Sequence, residues 1–486
     1  MPRLISIFFS ISLALSLVPQ VYAAEKSPAS EDTRKLVIVS SFPKAMGAIY
    51  KKAFESKHPG VEVEVLKKKT SAGLKYLYKL EAAKADKSTE EAEKKDDVDL
   101  FWVSAPDALE VLKKKNMLQK YIPKAAGIPR RLSGFPVNDP EGFYSGFSGA
   151  GYGLMWNTEY LKAHNLPEPR EWVDLTRPEF HGHVGLSAPS RSGTTHLTVE
   201  SILQLLGWEA GWSLVKSIAG NAKTITQKSS HVPKGVIKGE FGVGIVIDYY
   251  GLTAIANGHP IGFAYPGESV FVPANIGILK ASSEPKLAGE FIEFVLSPEG
   301  QKLLLEADIS RLPIRPELYQ PDSEGITHIP EFYPHPFSAK QLGAHVAFDV
   351  KRSRERYNVV NSLFDVMITY RFEDLQTAVS AIQNAETSLV STPKSQPALA
   401  GATNQARALI YALPIDELTS IDPHFASIFR KKRKKAEDVI EGEQAEIEGK
   451  WDELVAENYL RVKAVIGNQL PKKISSVDEL QAVKVP

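Results

Sequence analysis

At 486 residues, 43% of them apolar, the chain is long enough for two or more domains, each with its own core. Its 58 basic and 58 acidic side chains cancel, which argues against bulk binding to nucleic acid. It has no cysteine, so disulfides, thiolate metal sites and thiol catalysis are excluded.

The N-terminus reads MPRLISIFFSISLALSLVPQVYAAEK. A charged start at Arg3, a short apolar run Leu4 to Leu17 and the small-residue pattern Val21-Tyr22-Ala23 together predict a secretory signal peptide over residues 1–23. No later apolar run is long enough to cross a bilayer. An exported chain without cysteine suits a bacterial periplasm, and no cysteine is present to carry a lipid anchor.

After a polar stretch, KLVIVSS predicts a buried strand at Leu36–Val39. A helix follows, with Met46, Ile49, Tyr50, Ala53 and Phe54 on one face. HPGVEVEVL is a turn into a second strand, Lys67 to Gly73 is a polar loop, and a helix then runs to about Lys95. DVDLFWVS is a third strand, followed by a capping-box-like Ser104-Ala105-Pro106-Asp107. This alternation predicts an α/β unit with a mostly parallel sheet. NDPEGFYSGFSGAGYGLMWN (138–157) reads as a strand crossing into a second α/β region, and YPGESVFVPANIGILKAS as the crossing back. That second region holds SAPSRSGTTHLTVESILQLLGW, a helix with Ser192 as N-cap, and FGVGIVIDYYG, a strand ending in Asp248-Tyr249-Tyr250. From about 340 the pattern is helical. Tyr357 to Ile382 is expected to pack on the first lobe. Residues 391–400 form a linker candidate, and 401–470 hold two or three amphipathic helices with the basic run RKKRKK at Arg430–Lys435. That tail reads either as a solvated hairpin or as an appendage docked on the first lobe or on a membrane partner.

Ligands of open α/β sheets sit beyond the carboxyl ends of the strands. The polar residues expected there are Ser40 and Ser41, Thr70 and Ser71, Trp102 and Ser104, and Asp248, Tyr249 and Tyr250. The start of the 193–206 helix adds Arg191, Ser192, Gly193, Thr194 and Thr195, a patch of hydroxyls and free N–H groups suited to an anion. Taken singly, each reads equally well as a cap, a loop or a core residue; their shared position at strand ends suggests a clamp on a small solute. His196 is divided between the site and packing against the domain. A hydrolase is the remote alternative: SRSGTTH lacks the G-x-S-x-G elbow, and neither H-E-x-x-H nor a phosphate-cradling glycine loop occurs.

Seven segments carry a family resemblance: VIVSSFPKAMGAIYKKAFESKHPGVEVEV, DVDLFWVSAPDALEVLKKKNML, YGLMWN, SAPSRSGTTHLTVESILQLLGWEAGW, FGVGIVIDYYG, PANIGILKAS and LSPEGQKLL. In order and spacing over about residues 35–320 the chain resembles the bacterial extracellular solute-binding proteins of ABC importers. It is similar to the branch of ferric-ion and phosphorylated-solute binders, including the phosphoglycerate and hexose-phosphate type. The resemblance implies a type 2 periplasmic fold, α/β and two-lobed with a hinged cleft, to which this chain adds a C-terminal helical extension. The expected domains are lobe 1 at 30–137 and 274–390, lobe 2 at 138–273, and the extension at 391–486. The implied function is transport, not catalysis: a monomer that holds a small anionic, phosphorylated organic solute without a cofactor and hands it to an inner-membrane ABC permease. The alternative implied by the same family is Fe3+ held by Tyr249 and Tyr250; the first-strand loop SSFPKA offers neither the His nor the Glu that iron binders often add.

Overall fold

The computed structural model describes residues 34–85, 97–104, 106–132, 135–267, 269–321, 329–337, 348–391, 396–429 and 440–469. The signal-peptide segment, the basic run 430–435 and the side chains of Ser71 and Thr194 lie outside the described set.

The first lobe opens with β1 (Arg34–Ser40), α1 (Lys44–Lys57), β2 (Val61–Lys67), α2 (Thr70–Ala85), β3 (Leu100–Val103) and α3 (Pro106–Lys114), then a short ladder of β4 (Arg131–Leu132) and β5 (Phe135–Pro136). β1 is the middle strand of a parallel trio, with Ile38 opposite both Val65 and Leu100. Its last five residues are buried in succession, as expected of a parallel strand covered on both faces. α1 lays Met46, Tyr50 and Phe54 onto that sheet at helical spacing.

β6 (Ser145–Asn157) joins the lobes, and all thirteen of its residues are buried. Its first half pairs with β11 in the first lobe and its second half with β9 in the second. Its glycines answer to close backbone approach: a Cβ on Gly146 would lie 2.4 Å from the Val137 carbonyl oxygen, and one on Gly153 2.3 Å from that of Ala264. The crossing strand expected within residues 138–157 is this one.

The second lobe continues through α4 (Thr158–Ala163), β7 (Val184–Ser187), α5 (Gly193–Leu206), α6 (Trp208–Gly220), β8 (Ala222–Thr226), α7 (His231–Ile237), β9 (Val243–Ile247), α8 (Asp248–Ala256) and β10 (Ile261–Ala264). The chain returns on β11 (Phe271–Ile278), then α9 (Pro285–Leu296), α10 (Pro298–Lys302) and β12 (Leu312–Pro313), which pairs with β6 at the junction. The strand order is β2-β1-β3-β11-β6-β9-β7-β8, with β10 and β12 also on β6.

The remaining helices are α11 (Val350–Glu355), α12 (Tyr357–Phe364), α13 (Phe372–Ser391), α14 (Pro397–Tyr411), α15 (Glu417–Ile421), α16 (Pro423–Ile428) and α17 (Glu443–Gly467), with a π-helical stretch at Asp365–Thr369. Their placement corrects two expectations. Residues 357–382 pack on the second lobe, so its territory takes in 350–391, and the tail docks there too. α13 lies so close to α6 that a Cβ on Gly220 would come within 2.3 Å of Val379. Gln376 donates to the Ala222 carbonyl, and Gln383 to Asn221 Oδ1 and the Thr176 carbonyl. One core unites Trp208, Trp212 and Ile218 with Phe364, Val379, Trp451, Tyr459 and Ile466. An amphipathic face shows that a helix is buried but not against what, and here the open flank of α5 and α6 takes it.

Candidate functional site

The site is assembled where β1, β3 and β9 end and where β12 returns to β6. From the first lobe, the Ser104 N–H donates to Ser41 Oγ over 3.3 Å, tying two strand ends together. The Ser40 hydroxyl is buried and accepts from the Phe42 N–H. Lys67, the last residue of β2, donates to the Ser41 carbonyl. The Lys67 side chain keeps an exposed edge, while partial loss of water and then the nearby Arg311 charge push its ammonium down to about 8. Thr70 begins α2, half-buried.

From the second lobe come Tyr249 and Tyr250, on the first turn of α8, with rings 4.1 Å apart. Burial, reinforced by Tyr250, raises the Tyr249 phenol well above its usual value. The start of α5 is capped as expected: Ser192 Oγ accepts from the Thr195 N–H over 3.1 Å. Gly193 is exposed, with open space where a Cβ would stand.

Between the lobes lies Arg311, a residue that sequence reasoning missed. Its guanidinium is 4.5 Å from the ring centre of Phe42, in the first lobe, and 4.4 Å from that of Tyr249, in the second. It is 3% exposed, and its buried Nη1 has no hydrogen-bond partner among the described residues. Burial lowers its proton affinity, while Tyr249, Asp248 and Tyr250 act the other way. A buried guanidinium nitrogen without an acceptor, flanked by hydroxyls and a lysine, is chemically suited to an anion.

Two expected contacts fall elsewhere. Trp102 is fully buried in the first-lobe core, 5.3 Å from Phe42, 5.2 Å from Tyr50 and 5.5 Å from Phe147, because β3 turns it toward α1 and away from the cleft. Asp248 is spent on the junction: its carboxylate accepts from the Gly151 N–H on β6, the Tyr249 N–H and the Tyr265 hydroxyl. Burial outweighs these bonds and raises its carboxyl to about 6. Arg191 ends the 3-10 turn Pro189–Arg191 on the way into α5, half-buried, with its Nε buried and without a hydrogen-bond partner among the described residues. His196 is structural, buried with Nδ1 2.9 Å from Asn361 Oδ1.

Two α/β lobes strung on shared strands have the architecture of the type 2 periplasmic binding proteins. Residues 96–325 match the family model for bacterial extracellular solute-binding proteins, the kind of protein that delivers a ligand to an ABC permease. The phosphoglycerate transport regulatory protein PgtC of Salmonella typhimurium is 29% identical over 404 residues, which span 82% of this chain and 91% of the relative. Among solved structures, the periplasmic binding protein AfuA from Actinobacillus pleuropneumoniae, with fructose-6-phosphate bound, aligns with a TM-score of 0.55 at 21% identity, over 68% of this chain and 98% of that one. Iron-bound HitA from Pseudomonas aeruginosa aligns with a TM-score of 0.50 at 21% identity, over 64% of this chain and 92% of that one.

Proposed function

We propose that the protein captures a small phosphorylated organic anion between its lobes, as a monomer in the periplasm, and presents it to an inner-membrane ABC permease. The observation that carries this reading is Arg311, a buried cation whose Nη1 has no acceptor among the described residues, held between a ring of each lobe. A phosphate fits such a place because it accepts several short bonds at once, from the guanidinium, the Lys67 ammonium and the Ser41 and tyrosine hydroxyls. The name of the Salmonella relative, a phosphoglycerate transport regulatory protein, makes phosphoglycerate the first solute to test. The ferric alternative would require the Tyr249 phenol to ionise where burial opposes it more than the Arg311 charge assists, and would set Fe3+ beside that guanidinium, 4.4 Å from the ring.

Titration of wild type and Arg311→Gln against 3-phosphoglycerate, glycerate and ferric citrate tests the reading. Loss of one hydrogen bond to a charged partner costs about 1.5–3 kcal/mol, roughly tenfold to a hundredfold in affinity. The expected result is strong preference for the phosphorylated ligand in wild type and loss of most of that preference in the variant. Equal affinity for phosphoglycerate and glycerate, or a visible tyrosinate–iron absorption with ferric citrate, would overturn it.

A further inference from the structure

Two histidines of the second lobe are gathered around one tyrosine, away from the cleft. β7 runs parallel to β9, whose far end leads into Tyr249 and Tyr250, so the start of β7 lies at the other end of the sheet from the solute. His183 enters β7 there, just after Gly182, whose φ of 78° turns the chain. His164 closes α4, which Asn157 opens by accepting from the Tyr160 N–H. Tyr160 and His164, four residues apart, share a face at the end of that helix, and their rings stack with centres 3.9 Å apart. The ring centres of His164 and His183 are 5.2 Å apart.

Each histidine is held by one ring nitrogen and offers the other. His164 Nδ1 lies 2.9 Å from the Tyr160 carbonyl oxygen. A carbonyl oxygen only accepts, so Nδ1 carries the proton and Nε2 the lone pair. His183 Nδ1 lies 2.9 Å from the Tyr160 hydroxyl, whose oxygen can accept its proton in the same way. Neither Nε2 has a hydrogen-bond partner among the described residues. An imidazole whose inner nitrogen is fixed by an acceptor while the outer one stays free is oriented for a metal. Burial, and then His164, Lys223 and His181, lower the proton affinity of His183, which keeps that ring neutral and able to coordinate. The Lys223 ammonium is held on the Glu240 carbonyl.

The spacing fits one shared ion. A zinc ion about 2.0–2.1 Å from a ring nitrogen lies about 3.2 Å from the centre of that ring, so two rings sharing it at a tetrahedral angle stand about 5.2 Å apart. No group of three or more His, Cys, Asp or Glu side chains suited to a metal occurs among the described residues, so water would complete the coordination. We propose that His164 and His183 form a two-histidine site for a divalent transition cation of the Zn2+ class. Imidazole nitrogen favours Zn2+, Ni2+ and Cu2+, whereas Mg2+ and Ca2+ take oxygen ligands. A bound ion would join the end of α4 to the start of β7 and stabilise the second lobe, whatever the cleft holds.

Calorimetric titration of the untagged protein with Zn2+, and with Mg2+ as the control, tests the site. Wild type should bind Zn2+ and not Mg2+. His164→Ala and His183→Ala should each lower Zn2+ affinity at least about tenfold. Zn2+ should raise the melting temperature of wild type and of neither variant. His164 is exposed, so its variant carries the test if His183→Ala fails to fold. Undiminished Zn2+ binding in both variants, loss in only one of two folded variants, or no Zn2+ binding by wild type would overturn the proposal. Each of these outcomes leaves the phosphate reading of the cleft untouched.

Discussion

The two lobes close their cores by different means. The first is sealed mainly from within: Trp102 sits at the centre of Phe42, Tyr50, Phe147 and Phe291, with α1 and α9 laid over it. The second borrows its cover from the C-terminal third of the chain. The tail's inner contacts there are polar as well as apolar. Lys216 on α6 donates to the carbonyls of Ile410 and Ala412, capping the C-terminal end of α14. Trp208 Nε1 donates to the Ile415 carbonyl, and Tyr459 on α17 to that of Met367. Arg356 lies buried between Glu200 on α5 and Glu417 on α15. A lobe tied in this way has made its appendage part of its fold.

The largest test of that contrast is truncation after Ser391. It removes Trp451, Val455, Tyr459, Val462 and Ile466 from the shared core. At about 2 kcal/mol for each large side chain, the loss is on the order of 10 kcal/mol, comparable to the whole stability of a domain. We expect the second lobe to unfold while the first persists. Limited proteolysis should then cut within residues 158–260 and spare 34–132, and uniform resistance would dissolve the contrast.

Next in size is Arg356→Met. It leaves Glu200, fully buried, without its partner at 2.8 Å. Removing one member of a buried pair costs about 3–5 kcal/mol. The double variant Arg356→Met with Glu200→Leu should recover much of it, and denaturant melts of the three proteins give the comparison. No recovery in the double variant would mean that Arg356 contributes through its stacking on Trp208, 4.9 Å away, more than through charge.

The last effect is read as a slope. Lys216 is fully buried, and burial lowers its ammonium to about 7, whereas a lysine in the unfolded chain titrates near about 10.4. Between those values the unfolded chain holds the extra proton, so stability should rise with pH, by at most about 1.4 kcal/mol per unit. Below about 7 both forms are protonated and this contribution to the slope vanishes. Lys216→Met should flatten the profile between pH 7 and 10; an unchanged slope would assign it to other groups.

The parts legible in the sequence are those whose signals are local. β1 shows as consecutive apolar residues, α5 as Ser192 followed by a helical stripe, and β6 as glycines alternating with aromatics. The serines and tyrosines of the cleft follow from strand ends. Arg311 did not follow, because in DISRLPIRP an arginine after a helix, with no periodicity around it, reads as surface. The pairing of β12 with β6 and the bond from the Arg311 N–H to the Leu304 carbonyl draw it inward; the nearby Ile309 and Leu312 were the available hint. Trp102 and Asp248 misled for a related reason. Strand-end position fixes where a backbone arrives, but one residue of register decides whether its side chain meets solvent or core.

The position of Arg311 in the chain also orders events during synthesis. The ribosome delivers Phe42 and Tyr249 before the cation that joins them, and it delivers Trp208 and Trp212 more than two hundred residues before Trp451 and Tyr459, which share their core. A nascent chain that has emerged only to residue 300 has rings from both lobes but no charge to place between them, and one flank of α5 and α6 is still bare. Solute capture and second-lobe closure are therefore late, non-local steps, of the kind that folds slowly and leaves apolar surface open in the interval.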